Sequence, residues 1–252
     1  MPAVFQSYRE IFDQRAREYH EAMRLHPRAR DEEFANIVEV AAPSAGELLV
    51  DIPSGGGYLT AWMPEGVRLI GAETSMAFVE QGRDEYTCSR VLCESMARLP
   101  VRPATVDTIV NLAGLHHEPD PAGFFAAAHA ALRPGSAFCI ADVRSGSGPD
   151  GFLNGFVHAH SSMGHEGHFL DAGIADALEH AGLSVELLGP RGYSWQFPDT
   201  SAMAHYCQLL VGIDNADRER IQEGIQRHLG VDVEDAGCAL RWELLFVRAR
   251  RP

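Results

Sequence analysis

A short apolar strand that runs into three glycines constrains this chain more than any other feature. Residues 48–58 read LLVDIPSGGGY, so three apolar residues lead to Asp51 and then to a proline–glycine turn. This pattern is typical of a buried parallel strand that turns into a helix. The glycines at 55–57 have no β-carbon, so the backbone can bend tightly and lie close to a ligand. Exposed N–H groups at such a turn bind a carboxylate or a phosphate.

A second apolar run, residues 67–72, follows the glycine turn and ends at Glu73. In α/β sheets that bind nucleotides, an acidic side chain at this place accepts hydrogen bonds from the hydroxyls of a ribose. The two runs together therefore predict a nucleotide-like ligand at the carboxyl edge of a sheet.

Apolar runs and helical patterns alternate along most of the chain. Further strands are expected at residues 91–93, 106–111, 136–143, 183–188 and 240–247. Helices are expected at 4–40 (two), 58–66, 75–86, 121–132, 169–181 and 200–229 (two). The alternation predicts an α/β fold with a doubly wound, mostly parallel, seven-stranded sheet of the Rossmann-like kind. Residues 144–167, rich in Gly, Ser and His, are expected to form an extended loop or a broken helix over the carboxyl edge.

Composition limits what such a chain binds. Lys+Arg 21 against Asp+Glu 35 gives a net charge of -14, which disfavours a nucleic-acid partner. No apolar run approaches the roughly 20 residues that span a bilayer, and the first residues lack a signal-peptide core. The five cysteines are scattered without C-x-x-C spacing, as expected for reduced thiols. We therefore expect a cytoplasmic protein that acts on a small molecule and has no nucleic-acid or membrane partner. The sequence leaves open whether the protein forms a homodimer.

Several segments stand in a fixed order along the chain. They are FDQRAREY (12–19), LLVDIPSGGG (48–57), IGAETS (70–75), SMARLP (95–100), VDTIVNLAGLHH (106–117) and LRPGS (132–136). With this set the chain resembles, over roughly residues 10 to 190, the class I S-adenosylmethionine-dependent methyltransferases of the type 11 group, which includes ubiquinone/menaquinone-biosynthesis enzymes. Pro53 stands where the family has its first glycine, and Ser95 stands where it usually has an aspartate.

The resemblance implies S-adenosylmethionine as the cofactor. It also implies one domain with an N-terminal helical cap (1–42), a cofactor-binding core (43–143) and an acceptor-binding helical lid with the last strands (144–252). The residues assigned to the cofactor site are Tyr19, Asp51, Gly55, Gly57, Glu73, Thr74, Ser95, Met96 and Asn111. Within this set Asp51, Gly55 and Gly57 are expected at the methionine part, Glu73 at the ribose, and Ser95 with Met96 at the adenine.

A nicotinamide dinucleotide is the nearest alternative ligand for the glycine turn. That ligand would require a third glycine three residues after Gly57, where Thr60 stands. The loop at 95–100 and the histidines after the fourth strand also favour the methyltransferases.

Two adjacent histidines, His116 and His117, follow the fourth predicted strand at the edge where ligands bind. Imidazole suits general-base catalysis because its usual pKa lies near neutrality. The resemblance offers a second interpretation, since paired histidines recur in the family as a structural feature that shapes the site. The predicted catalytic residues are His117 and His116.

A second histidine cluster lies in VHAHSSMGHEGH, residues 157–168. Three interpretations are open: a transition-metal site, a polar loop that contacts the acceptor, or a solvated loop without a role. The acceptor-contacting loop is preferred, so His158, His165 and His168 are predicted to bind substrate and no metal ligand is assigned.

Three more residues complete the predicted acceptor site. The guanidinium of Arg144 offers a bidentate fork for an anionic acceptor, with a surface salt bridge as the alternative. Tyr193 and Trp195 alternate in GYSWQF and are assigned to an aromatic wall, with core packing as the alternative.

The predicted function is methyl transfer from S-adenosylmethionine to oxygen, nitrogen or carbon of a small organic molecule, a step in small-molecule biosynthesis. Two alternatives keep the cofactor. One is a cyclase or isomerase that uses the sulfonium only as a charge or scaffold, and the other is a non-catalytic binding protein.

Overall fold

The computed structural model of the protein describes residues 8–81, 89–93, 95–118 and 120–252. The strands are β1 (Leu48–Asp51), β2 (Arg68–Glu73), β3 (Ser89–Leu92), β4 (Val106–Leu112), β5 (Leu132–Asp142), β6 (Ser184–Phe197), β7 (Val231–Glu234) and β8 (Gly237–Arg250). The helices are α1 (Tyr8–Leu25), α2 (Asp31–Ala41), α3 (Met76–Gln81), α4 (Pro121–Ala131), α5 (Gly148–Asp150), α6 (His158–His160), α7 (Gly173–His180), α8 (Thr200–Val211) and α9 (Arg218–His228). Short 3-10 turns at Tyr58–Trp62 and Leu115–His117 and a π-helical segment at Gly151–Val157 complete these elements.

One sheet joins the strands in the order β3-β2-β1-β4-β5-β8-β6. Strands β1 to β5 run parallel to one another, and β8 lies between β5 and β6 and is antiparallel to both. The predicted seven-stranded, mostly parallel sheet is confirmed, and a short eighth strand, β7, pairs with β8 in a hairpin that the sequence pattern did not reveal. The strand order reverses between β1 and β4, and ligands bind outside the carboxyl ends of strands at such a point.

Alternating side chains of the central strands supply two separate cores. In β1, Leu49 belongs to one buried cluster and Val50 to the other, because successive side chains point to opposite faces of the sheet. Val50 lies opposite Ile70 of β2 and Ile109 of β4. Helix α2 covers the face of Leu49, and α4 covers the face of Val50. The apolar runs of β1 and β4 are therefore buried on both faces, as parallel strands require.

Helix α1 contributes to both cores. Phe12 and Ala16 pack in the cluster with Val50, whereas Ala22 and Met23 pack in the cluster with Leu49. The helix also contacts α3 and α8. Its N-terminal half therefore closes over the carboxyl edge of the sheet, next to the glycine turn.

The first predicted crossover helix, 58–66, is wrong in length and type. Only the 3-10 turn Tyr58–Trp62 forms, and Met63 is already extended with φ -69° and ψ 133°. Pro64 explains the stop, since a residue before proline is restricted to extended conformations. The helix predicted at 75–86 is observed as α3. Residues 82–86 lie outside the described residues, as do residues 4–7 of the first predicted helix and Cys88.

The two antiparallel strands are longer than predicted. The expected strand at 183–188 extends as β6 to Phe197, and the expected strand at 240–247 extends in both directions as β8. Gly189, Pro190 and Gly192 are typical of a turn, yet they pair with β8 along the strand. The predicted helix at 169–181 is confined to α7, which ends at the left-handed Gly182 with φ +83°.

The segment after β5 lies over the carboxyl edge as a broken helix followed by a loop. Helical residues run from Gly148 to His160 through α5, the π-helical segment and α6, and the loop returns to pair Leu170 with Arg144. Among the residues that the structure describes, no helix has both the length and the apolar character needed to cross a bilayer.

Gly114, between β4 and the histidine pair, is expected to be intolerant of a side chain. A β-carbon at this position would lie 2.5 Å from Cδ of Pro53, whose ring cannot rotate away. Gly114→Ala should therefore lower the free energy of unfolding by about 1–3 kcal/mol in urea denaturation. Gly189→Ala is the matched control, because nothing lies within 4 Å of its added β-carbon. Equal stabilities of the two variants would contradict the close packing of Gly114 on Pro53.

Candidate active site

The parallel strands bring four buried polar side chains to one edge of the sheet. Asp51 ends β1, Glu73 ends β2, and Asp142 ends β5, while Asn111 is the penultimate residue of β4. Asp51 is 4% exposed and the other three are 0% exposed. Because a buried polar group is costly without partners, the arrangement of donors around these side chains determines the local structure.

The carboxylate of Glu73 accepts four hydrogen bonds. Its Oε1 accepts from the backbone N–H groups of Thr74 at 2.7 Å and Ser75 at 2.8 Å. Its Oε2 accepts from the N–H of Gly55 at 2.7 Å and from the hydroxyl of Tyr8 at 3.3 Å. Burial nevertheless raises the pKa of Glu73 to about 7, although the hydrogen bonds favour the charged form. The predicted ribose acceptor is thus placed against the glycine turn.

A small cavity of about 60 Å³ lies beside the glycine turn. This glycine-turn cavity is lined by Asp51, Pro53, Ser54, Gly55 and Tyr58 of the turn and by aromatic side chains of α1 and α3. Burial, and then the charge of Glu73, raise the pKa of Asp51 well above its ordinary value. Ligand pockets usually measure about 300–1,000 Å³. A nucleotide-sized ligand therefore requires some of the side chains that line this cavity to move aside.

Three buried polar atoms at the ends of β1, β2 and β4 have no hydrogen-bond partner within the described part of the chain. They are Oγ of Ser54, Oγ1 of Thr74 and Oδ1 of Asn111. Buried polar atoms are rarely left unpaired, so these atoms are suited to a polar ligand. Pro53 has no N–H to offer, and the N–H of Gly57 already donates to the carbonyl of Ser54 at 2.8 Å.

The remaining predicted cofactor residues lie around this cavity or near it. Tyr19 lines it, whereas Gly57, Glu73, Thr74, Ser95, Met96 and Asn111 do not. The amide nitrogen of Asn111 donates to the carbonyl of Ile52 at 2.7 Å and lies 3.8 Å from the sulfur of Met96. Ser95 is half-buried and Met96 is buried, so the loop 95–100, which is predicted to contact the adenine, packs against the end of β4.

A second cavity, of about 90 Å³, lies next to the first. This histidine cavity is lined by His116, His117 and His165 and by apolar side chains that include Leu153 and Trp242. Its wall is partly shared with the glycine-turn cavity. The shared residues are Phe12, Tyr19, Arg30 and Ala113.

The two adjacent histidines have different partners. Nδ1 of His116 lies 2.7 Å from Oδ1 of Asp142, and the backbone N–H of His116 donates to Oδ2 at 3.0 Å. Nδ1 of His117 is buried and has no partner among the described residues. Burial, reinforced by His116 and His165, lowers the pKa of His117 well below its ordinary value. His117 is therefore uncharged at neutral pH.

Of the three predicted substrate-binding histidines in the histidine-rich loop, one, His165, lines the histidine cavity. The ring of His165 lies 5.3 Å from that of His117 and 5.7 Å from that of His116. His158 and His168 do not line the cavity. Nδ1 of His158 instead lies 2.9 Å from the carbonyl of His165, and the backbone N–H of His168 donates to the carbonyl of His116 at 2.9 Å.

A buried ion pair that the sequence pattern did not reveal lies at the wall shared by the two cavities. The guanidinium of Arg30 pairs with Oε1 of Glu33 and donates to the hydroxyl of Tyr19 at 2.6 Å. Oε2 of Glu33 accepts from the hydroxyl of Tyr193 at 3.0 Å and from Nε1 of Trp195 at 2.9 Å. Trp195 lines the histidine cavity, whereas Tyr193 does not line it and bonds to the same oxygen of Glu33. The sequence signal for this ion pair was an arginine three residues before an acidic residue. That signal does not indicate burial, because acidic residues at the start of a helix are usually solvated.

Arg144 does not line the histidine cavity. It forms a salt bridge with Glu243 at 2.7 Å, with the arginine side chain 39% exposed. Arg15, half-buried on α1, lines the cavity instead and donates to the carbonyls of Leu209 and Leu210 in α8. Burial lowers the pKa of Arg15 to about 10, so it keeps its charge at neutral pH.

Two comparisons of the sequence with known proteins find methyltransferases. Residues 50–140 match the family model described as a methyltransferase domain. A protein of Mycolicibacterium smegmatis named "probable S-adenosylmethionine-dependent methyltransferase" is 29% identical over 146 residues, which cover 56% of this chain and 54% of that protein. The match thus spans about half the length of this curated relative.

Solved structures share the fold at low identity. The 4+2 cyclase SpnF superposes with a TM-score of 0.64 at 14% identity, covering 99% of this chain and 97% of that chain. The geranyl diphosphate C-methyltransferase of Streptomyces coelicolor A3(2), solved with Mg2+, geranyl diphosphate and S-adenosyl-L-homocysteine, superposes with a TM-score of 0.57 at 15% identity, covering 88% and 79%.

Removal of one partner of the buried ion pair should be costly. Glu33→Gln leaves the guanidinium of Arg30 without its carboxylate, and we expect the free energy of unfolding to fall by about 3–5 kcal/mol. Glu39, on the same helix, pairs with Arg191 but its side chain is 71% exposed. Glu39→Gln should therefore cost less than about 1 kcal/mol. Urea denaturation of both variants measures the difference, and equal losses would show that burial does not matter at this pair.

The raised pKa of Glu73 predicts a pH dependence of stability. Its pKa is about 4.5 when exposed and about 7 in the folded protein, so its stabilising contribution is complete below pH 4.5 and is lost as pH rises through 7. The loss amounts to about 3 kcal/mol for a shift of this size. Urea denaturation without ligand should show a smaller decline in stability between pH 4.5 and 8 for Glu73→Gln than for the wild type. Glu65→Gln, at an exposed position, should keep the wild-type decline.

Proposed function

We propose that the protein is an S-adenosylmethionine-dependent methyltransferase that acts on a small organic molecule, because residues 50–140 match the model of a methyltransferase domain and the chain shares the fold of solved methyltransferases. One observation carries the proposal. The glycine-turn cavity and the histidine cavity are neighbours with a common wall, so a cofactor in the first would lie beside an acceptor in the second.

The residues at the glycine turn suit the cofactor. Its charged amino-acid part requires polar partners, and the unpaired Oγ of Ser54 and the carboxyl group of Asp51, which both line the cavity, would supply them. Glu73 is the residue that would bind the ribose, whose hydroxyl would replace the hydroxyl of Tyr8, the most distant of its four donors at 3.3 Å. Ser95 and Met96 would contact the adenine. Bound there, S-adenosylmethionine supplies an activated methyl group.

The residues of the histidine cavity would bind and orient the acceptor. Leu153, Trp195 and Trp242 give the cavity apolar walls that exclude water and position the acceptor for an in-line displacement. The unpaired Nδ1 of His117 would receive a proton from the acceptor. The acceptor class that fits is a small, largely apolar molecule with one ionisable oxygen, nitrogen or carbon atom.

The first test is calorimetric titration of the purified protein with S-adenosylmethionine and with S-adenosylhomocysteine. Glu73→Gln replaces one carboxylate oxygen with an amide donor, so loss of one hydrogen bond to a charged group, about 1.5–3 kcal/mol, should weaken the binding of both ligands about 10–100-fold. Glu65→Gln should bind them like the wild type. No binding to the wild type, or equal binding to the Glu73 variant, would reject the assigned cofactor site.

A cyclase or isomerase that retains the cofactor is the second candidate, because the fold is shared with a 4+2 cyclase over nearly the whole chain. Product analysis distinguishes the two functions. Methyl transfer yields one S-adenosylhomocysteine for each acceptor converted, whereas a cyclase converts its substrate and leaves S-adenosylmethionine intact.

A further inference from the structure

Three histidines from two distant parts of the chain converge in the histidine cavity. Each of His116, His117 and His165 offers one ring nitrogen, and these nitrogens all lie within 4.8 Å of one another. The rings of His116 and His117 are 4.0 Å apart between centroids. His116 and His117 are each 5% exposed, and His165 is half-buried. Three imidazole rings that lie this close together and are largely removed from water require an interaction that compensates for their burial.

The partner of His116 fixes which of its nitrogens is available. Asp142 is fully buried at the end of β5, and as a carboxylate it only accepts hydrogen bonds, so Nδ1 of His116 must carry the proton. Nε2 of His116 is therefore left with its lone pair. A metal-binding histidine almost always donates its other nitrogen to a carboxylate or carbonyl oxygen in this way.

The partner of His165 has the same effect. The amide of Asn154 is oriented by Gly167, since its nitrogen donates to the Gly167 carbonyl at 2.9 Å and its oxygen accepts from the Gly167 N–H at 2.8 Å. That oxygen also lies 2.9 Å from Nδ1 of His165, which must therefore be the donor. Nε2 of His165 is then the nitrogen with a free lone pair.

The backbone of the loop is held against the first two histidines. The N–H of His168 donates to the carbonyl of His116, and a β-carbon on Gly167 would lie 3.0 Å from Cδ2 of the His116 ring. The position of His165 is thus determined by the loop's contacts with His116, in the turn after β4, and not by its own side chain alone. The third nitrogen comes from His117, whose buried Nδ1 lacks any partner among the described residues.

We propose that His116, His117 and His165 bind a divalent transition-metal ion, with zinc the best match. Three imidazoles without a carboxylate or thiolate select zinc, cobalt or nickel over magnesium or calcium. A catalytic zinc site has three protein ligands and an open fourth position. Bonds of about 2.1 Å place tetrahedral ligands about 3.4 Å apart, so the rings need to approach by less than about 1.5 Å.

The fourth position of this ion would face the apolar part of the histidine cavity. An acceptor with a hydroxyl or thiol would bind there through its oxygen or sulfur, and coordination would lower the pKa of that group as zinc lowers the pKa of bound water to about 7. The released proton passes to solvent and the heteroatom stays bound as an anion. This role in activating the acceptor rests on the proposed function, whereas metal binding does not. In the absence of metal, Nδ1 of His117 would remain the proton acceptor.

The test is titration of the full chain, stripped of metal by a chelator, with Zn2+ by calorimetry and with Co2+ by visible absorption. We expect one equivalent of each metal to bind at micromolar concentration or below, with the strong absorption of four-coordinate Co2+. His117→Gln and His165→Gln should each weaken Zn2+ binding at least 100-fold, and Asn154→Ala about 10–100-fold through loss of orientation. His160→Gln is the matched control, since this histidine lies on the same segment but bonds to the carbonyl of Phe156.

Weak, six-coordinate Co2+ spectra in the wild type, or unchanged binding in both His117→Gln and His165→Gln, would overturn the proposal. Circular dichroism and S-adenosylmethionine titration of the same metal-free samples separate the outcomes. Variants that keep their secondary structure and cofactor affinity while losing Zn2+ support the metal site. Wild-type protein that binds Zn2+ but not S-adenosylmethionine rejects the proposed function and leaves the metal site standing.

Discussion

The burial of polar side chains at the carboxyl ends of the parallel strands is the constraint on which the site depends. A carboxylate withdrawn from water is stable only where donors or a bound proton compensate for the lost hydration. Glu73 recruits the N–H of Gly55 and thereby determines the path of the glycine turn. Asp142 recruits both the backbone and the ring of His116 and thereby determines the position of the histidine pair. The two halves of the site are thus built by the same electrostatic requirement.

A second buried charge connects these halves to the surrounding helices. Arg30 and Glu33 lie at the start of α2, and between them they bind Tyr19 of α1 and the aromatic residues Tyr193 and Trp195 of β6. Buried ion pairs add little stability compared with apolar packing, but they are expensive to break. This ion pair therefore fixes the positions of α1, α2 and β6 relative to one another at the wall that the two cavities share.

Most of the sheet could be predicted from the sequence because its signals are local. A run such as Leu48–Asp51 followed by glycines identifies a buried parallel strand without any knowledge of its partners. The extension of β6 through Gly189 and Pro190 could not be predicted, since it depends on pairing with β8 about fifty residues later. The convergence of His165 on His116 was equally inaccessible, because it results from hydrogen bonds between a loop and the end of a distant strand. Local patterns indicate elements; the site arises from contacts between them.

The shared wall also links the two cavities energetically. Phe12 and Tyr19 of α1 line both, and each cavity is smaller than an ordinary ligand pocket. Any ligand that displaces these side chains from the glycine-turn cavity alters the wall of the histidine cavity as well. The first ligand to bind then provides the free energy that displaces these side chains. The second ligand binds to a protein in which they are already displaced. By thermodynamic linkage the effect is reciprocal, so each ligand changes the affinity for the other by the same factor. Under the proposed function, the binding of cofactor and acceptor would thus be coupled through Phe12 and Tyr19 of α1.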